Sequence, residues 1–169
     1  MVSLKIFVSH SMNPKNMELI KSLEQQIPEN IELYVAGRDK KPGHELKHKI
    51  KENLKTSDIV LALLTKGGEN NDWVHQEIGS ANMANIPIIP VKEKGVKIKG
   101  FTEGLEWIPL DMKSKDEAII AVKEELAKRY DDKVARIRAK EAEEFRNMMI
   151  VVLGLIAVAI IVVIIASRK

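Results

Sequence analysis

The sequence contains no cysteine. This absence excludes disulfides and thiolate metal sites, and it is typical of a protein in a reducing cytosol. A strong charge imbalance is missing too. Seven Lys or Arg and five Asp or Glu lie after residue 130, so that segment carries +2 of the net charge of +3 and the first 130 residues carry +1. A domain so close to neutrality lacks the basic surface that nucleic acid requires, and we expect no nucleic-acid partner.

Three further signals for particular classes of protein are absent. The first apolar run, residues 4–8, is too short and too soon charged to be a signal peptide. Four lysines between residues 92 and 99 lack the Gly-x-x-x-x-Gly-Lys spacing of a phosphate-binding loop, so we interpret this segment as a solvated loop. His44 and His48 have a spacing that can bind zinc, but no third ligand accompanies them, and we expect no metal site.

Short apolar runs alternate with helical patterns through the first 130 residues, which predicts one α/β domain. The runs that predict strands are 4–8, 31–35, 58–64, 86–91 and 107–110. Because the connections are short, the pattern predicts a parallel sheet with helices on both faces. Pro109 in the last run is unsuited to a central strand and predicts that this strand lies at the edge.

The C-terminal segment has a different character. Residues 131–147 are rich in charge of both signs and predict a helical stalk. Residues 148–166 contain no polar or charged side chain, and as a helix they would span about 28 Å against a hydrocarbon core of about 30 Å. We predict a single-pass, tail-anchored transmembrane helix with a short basic tail at 167–169; a buried soluble helix is the alternative. Basic residues flank both ends, so the positive-inside rule does not decide its orientation.

The stretch from residue 71 to residue 81 predicts a helix that carries a carboxylate beside an indole. Asp72 is the predicted N-cap, and Trp73 and Glu77 lie four residues apart on one face. The predicted core-facing stripe consists of Val74, Ile78 and Ala81. Glu77 therefore lies at the border of the buried face, where it can bind hydroxyl groups while the ring excludes water. The alternative is a solvated Glu77 with Trp73 in the core.

Polar residues follow the first predicted strand. Ser9, His10 and Ser11 precede a helix whose predicted N-cap is Asn13, with Pro14 as its first residue. Ligands of open α/β sheets bind at the carboxyl ends of strands, and helix amides favour anionic groups such as a pyrophosphate. The alternative is that these hydroxyls only cap the loop.

The segment 38–43 predicts an exposed turn between a strand and a helix. It reads Arg38-Asp39-Lys40-Lys41-Pro42-Gly43. Pro42 presets φ and Gly43 allows a positive φ, which is typical of a turn. The alternative to a functional loop is a solvated surface segment.

Three of these segments together resemble the motifs of TIR (Toll/interleukin-1 receptor) domains. Residues 6–11 are similar to the first motif, segment 38–43 matches Arg-Asp-x-x-Pro-Gly at every fixed position, and Trp73-x-x-x-Glu77 resembles the third helix. The resemblance covers roughly the first 130 residues and implies a flavodoxin-like, five-stranded sheet of order 2-1-3-4-5. Asn13 departs from the pattern, because related bacterial domains often have Asp there.

The closest resemblance is to the TIR domains that cleave NAD. It implies that Glu77 is catalytic, that Trp73 walls the pocket, and that Ser9, His10, Ser11 and Arg38 contact the substrate. It also implies self-association through an assembly loop formed by Arg38, Asp39, Pro42 and Gly43. NAD would be the substrate, with linear or cyclic ADP-ribose as product and no cofactor, in signalling or antiviral defence. The domain would face the cytoplasm, with lipid contacting residues 148–166.

Two rival functions remain open at this point. The first is a non-catalytic TIR–TIR signalling scaffold in which Glu77 is merely structural. The second is an enzyme like the nucleoside deoxyribosyltransferases, whose similar α/β fold also uses a Glu at a ribose carbon. Both the predicted membrane anchor and the match in segment 38–43 speak against the second.

Overall fold

The computed structural model describes residues 2–38, 44–66, 68, 71–97 and 102–167, except for the side chains of residues 44–47. The strands are β1 Leu4–His10, β2 Ile31–Val35, β3 Ile59–Leu64, β4 Ile88–Glu93 and β5 Ile108–Leu110. The helices are α1 Pro14–Glu24, α2 His44–Thr56, α3 Asp72–Met83 and α4 Lys115–Ala166. Asn13 is the N-cap of α1, as predicted, and its side chain accepts a hydrogen bond from the Asn16 amide.

The strands form one sheet in the order β2-β1-β3-β4-β5, and every neighbouring pair is parallel. This confirms the predicted flavodoxin-like order and the edge position of β5. Val8 pairs with Val35 on one side and with Leu61 on the other, which fixes β1 in the middle of the sheet. Since all strands are parallel, their carboxyl ends lie along the same edge, where ligands of such sheets bind.

Helices cover both faces of the sheet, again as predicted. One face packs against α1 and α4 through a large core that includes Leu4, Ile6 and Val8 of β1. The other face packs against α2 and α3, and Phe7 of β1 belongs to that core. The two faces thus divide the alternating residues of β1 between them.

Two boundaries differ from the sequence predictions in ways that affect the site. β1 continues through Ser9 and His10, because β3 extends beside it and supplies Ala62 and Leu63 as their partners.

The N-cap of α3 is Asn71 and not Asp72: the Asn71 side chain accepts hydrogen bonds from the amides of Trp73 and Val74. Asp72 is instead the first residue of the helix, where its negative charge interacts favourably with the positive end of the helix dipole.

The chain divides into two units, residues 1–130 and residues 131–169. The second unit is helical from residue 131 to residue 166. Its large apolar side chains between Met148 and Ile165 are all exposed. By length and composition, α4 is apolar enough to cross a membrane.

Candidate functional site

A hydrogen bond between Ser9 and Glu77 connects β1 with α3 at the carboxyl edge of the sheet. Ser9 Oγ donates to Glu77 Oε2 at 2.5 Å, and both side chains are buried, with Ser9 0% exposed and Glu77 7% exposed. Ser9 stands two residues after Phe7 and therefore faces the α2–α3 side of the sheet. The two partners are 68 positions apart in the sequence, so only the fold brings them together.

The packing of α3 determines where Glu77 lies. Val74 and Ile78 are buried against Ala62 of β3, and Ala62 is the cross-strand neighbour of Ser9. The Asn71 cap fixes the first turn of the helix, so Glu77 follows in the second turn and lies above the end of β1. The predicted core stripe of α3 agrees with the buried residues Val74, Ile78 and Ala81.

Burial makes the Glu77 carboxyl unusually basic. Removal from water raises its pKa from 4.5 to about 7, because the charged form loses hydration, while the hydrogen bond from Ser9 opposes this rise. A carboxyl group with a pKa near 7 changes its charge around neutral pH. This is the range in which general acids, bases and electrostatic catalysts are commonly tuned.

A cleft of about 190 Å³ lies beside Glu77, between α2 and α3. Its lining residues are Ile50, Lys51 and Leu54 of α2 and Trp73, Gln76, Glu77 and Ser80 of α3. The Trp73 side chain is 48% exposed, so the indole lies at the rim of the cleft and not in the core. Ligand sites usually measure about 300–1,000 Å³. The cleft between the described residues is therefore smaller than a typical ligand site.

His10 holds two strand ends together. Its ring is buried, with Nδ1 2.9 Å from the Ser11 carbonyl oxygen and Nε2 3.0 Å from the Ala36 carbonyl oxygen. Both ring nitrogens thus contact backbone carbonyls, and the ring connects β1 with the segment that follows β2. Arg38 lies two residues after Ala36 in the sequence.

Ser11 lies at the centre of a polar cluster that closes the β1–α1 turn. Its Oγ accepts hydrogen bonds from Asn13 Nδ2 and Asn16 Nδ2, each at 3.0 Å. The loop after β3 also packs closely here, since a Cβ added at Gly68 would lie 2.5 Å from Ser11 Oγ. Asn16 was not expected to contribute, although its position three residues after the N-cap could have suggested it.

Arg38 forms a bidentate ion pair with Glu24 at the end of α1. Its Nη1 and Nη2 donate to the two carboxylate oxygens at 2.6 and 3.0 Å. The pair is partly exposed, and such pairs contribute little to stability. Asp39, Pro42 and Gly43, the rest of the predicted assembly loop, lie outside the described residues.

The structure brings together some of the predicted site residues and separates others. Ser9, Trp73 and Glu77 meet at or beside the cleft, whereas His10 and Ser11 do not line it. The α2 residues of the cleft were missed, because helical spacing does not reveal which helices become neighbours. Within the described part of the chain, no three His, Asp or Glu side chains are grouped so that they could hold a metal ion.

Comparison with known proteins agrees with the observed fold. A family model for the TIR domain matches residues 6–126, a range that contains both Ser9 and Glu77. Among curated proteins, no match is found. The matched range covers more than half of the chain, which therefore belongs to the TIR domain family.

Proposed function

We propose that this TIR domain cleaves NAD between nicotinamide and ribose, with Glu77 as the catalytic residue. The observation that carries the proposal is a buried carboxylate, fixed by Ser9 at the carboxyl edge of the sheet and bordered by a cleft with Trp73 at its rim. Cleavage of a glycosidic bond passes through an oxocarbenium-like transition state. A fixed carboxylate in a dry site stabilises the positive charge that develops there.

The role of Glu77 requires its charged form. The leaving nicotinamide takes the bonding electron pair and becomes neutral, while positive charge develops on the ribose carbon. Water then attacks that carbon and loses a proton to the solvent, which gives linear ADP-ribose. Attack by a nucleophile within the same molecule gives cyclic ADP-ribose instead. Trp73 borders the cleft from the same helix face and shields the reacting carbon from bulk water, since it stands one helical turn before Glu77.

The second part of the proposal is that residues 148–166 span a membrane once, with the TIR domain in the cytoplasm. The support is a helix whose large apolar side chains are all exposed in this segment, a distribution suited to lipid and not to water. A reporter fused to the N-terminus should lie in the cytosol, and a chain without residues 148–169 should be soluble. Recovery of the shortened chain with membranes would contradict this assignment.

A nicotinamide-release assay tests the enzymatic part. The full-length chain is placed in liposomes at high surface density and incubated with NAD, and Glu77→Gln serves as the matched control. Nicotinamide release that depends on Glu77 supports the proposal. Base exchange with deoxynucleosides would favour a deoxyribosyltransferase-like reaction instead, and self-association without any turnover would favour a scaffold.

A further inference from the structure

The Ser9 hydroxyl is not available to a substrate in this structure. Ser9 lies within β1, has no exposed surface, and its Oγ donates to Glu77 Oε2. Among the described residues, Ser9 is the hydrogen-bond partner of that carboxylate. Because Ser9 has no exposed surface, a direct contact between its hydroxyl and a ribose or phosphate would require β1 to separate from α3.

We infer that Ser9 is a positioning residue, which holds the Glu77 carboxylate in its working orientation and in its charged form. This inference rests on the proposed NAD cleavage. It replaces the expected substrate contact of Ser9 with an action through Glu77.

Orientation is the first effect of the bond. One carboxylate oxygen, Oε2, is held from the sheet side by a residue whose backbone is fixed in register with Ala62. The other oxygen, Oε1, is then the one that can face a ligand in the cleft. A carboxylate on a helix without such a contact would sample several side-chain rotamers, and the bond removes that freedom.

Charge is the second effect. Burial favours the neutral acid, and a hydroxyl that donates to the carboxylate favours the anion. These two influences act on Glu77 in opposite directions, with burial the larger. In the described part of the chain, the charged residue that lines the cleft from the facing helix is Lys51 of α2, which both test variants retain. Ser9 therefore increases the fraction of Glu77 that is ionised near neutral pH, which is the form that stabilises an oxocarbenium-like state.

The test compares Ser9→Ala with Thr65→Val in the full-length chain, in detergent micelles for the titration and in liposomes at high surface density for nicotinamide release. Thr65 follows β3 at the same edge and is 1% exposed, and its Oγ1 has no hydrogen-bond partner among the described residues. Thr65→Val therefore removes an equally buried hydroxyl that does not hold Glu77. Ser9→Cys, which keeps the size but weakens the donor, replaces Ser9→Ala if that variant fails to fold.

Two measurements separate positioning from packing. Glutamate labelled with ¹³C at the side-chain carboxyl reports the titration of Glu77, whose resonance is the one missing in Glu77→Gln. The pH profile of kcat for nicotinamide release reports which protonation state of Glu77 is active. In Ser9→Ala the pKa of Glu77 should rise above its wild-type value and the acid limb of the profile should move with it. At pH 7, kcat should fall about 10- to 100-fold, the scale of a lost hydrogen bond to a charged group.

The outcomes are distinct. The inference is supported if the pKa of Glu77 and the acid limb of the pH profile of kcat shift in Ser9→Ala but not in Thr65→Val. An active wild type with an unmoved Ser9→Ala titration overturns it while NAD cleavage stands. A wild-type chain that releases no nicotinamide overturns the proposed function and this role together.

Discussion

Replacing Glu77 by Gln should stabilise the folded domain at neutral and alkaline pH, although it removes the proposed catalytic group. The pKa of Glu77 is about 7 in the folded chain, against 4.5 for an ordinary Glu, and the main cause is burial. A folded-state pKa above the unfolded one contributes stability that is fully present below pH 4.5. That contribution is lost as the pH rises through about 7.

The size of the effect follows from the two pKa values. The interval from 4.5 to about 7 corresponds to about 3 kcal/mol at 1.36 kcal/mol per pH unit, as an order of magnitude. Glu77 is almost fully buried, so solvent screens little of this energy. Gln has a similar size and can still accept the Ser9 hydrogen bond through its side-chain oxygen, but it does not ionise. The free energy of unfolding of Glu77→Gln minus that of wild type should therefore increase by about 3 kcal/mol between pH 4.5 and pH 8.

Urea unfolding at a series of pH values measures this difference. Residues 1–130 form a compact unit with cores on both faces of the sheet, and they are the suitable sample. Glu18→Gln is the control with the opposite sign. The hydrogen bond and the charge of Lys115 hold the pKa of Glu18 below its usual range. This exposed pair therefore contributes a small stability above pH 4.5 that is lost as the pH falls. If the free energies of unfolding of Glu77→Gln and wild type differ by the same amount at every pH, Glu77 is not a buried group that titrates in this range.

Three further predictions concern activity and folding. Glu77→Gln should lower nicotinamide release by at least about 100-fold, the usual scale for lost electrostatic stabilisation, and a fully active variant would exclude the catalytic role. Asn71→Ala should lower the free energy of unfolding by about 1 kcal/mol, while Asn71→Asp should keep the cap. If urea unfolding shows that both variants lose the same free energy of unfolding, the cap is unimportant. Gly43→Arg and Glu77→Ala should each be inactive in liposomes, yet mixing them should restore part of the release if segment 38–43 of one copy completes the Glu77 site of another. A mixture that associates but stays inactive would place the whole site in one chain.

The parallel sheet with helices on both faces was predictable because its signals are local and repeated. Each strand is a short apolar run, each helix has its own spacing, and the connections are short, which leaves few parallel arrangements. The position of Glu77 at the border of the buried face also followed from α3 alone, since Val74, Ile78 and Ala81 define that face. The motif resemblance supplied the strand order, which periodicity does not give.

The bond between Ser9 and Glu77 was not predictable, and the reason lies in β1. A central parallel strand is apolar on both faces, so its sequence does not show which alternate residues face which helices. Leu4, Ile6 and Val8 pack on one face and Phe7 on the other, yet all four are apolar and buried. Without that assignment Ser9 could point to either side of the sheet. Its partner is also 68 residues away and reaches it only through the packing of α3.

The energetics of Glu77 support the proposed role of this residue in NAD cleavage. A buried carboxyl that ionises costs the fold about 3 kcal/mol above neutral pH, and Gln or Met would fill a similar space without that cost. Its hydrogen bond to Ser9 offsets only part of the rise in pKa that burial causes, because the pKa remains about 7. Departures from the most stable choice are typical of functional sites, where a group is kept for its chemistry. Here the unfavourable group borders a cleft at the carboxyl edge of a parallel sheet, which is where a ligand would use it.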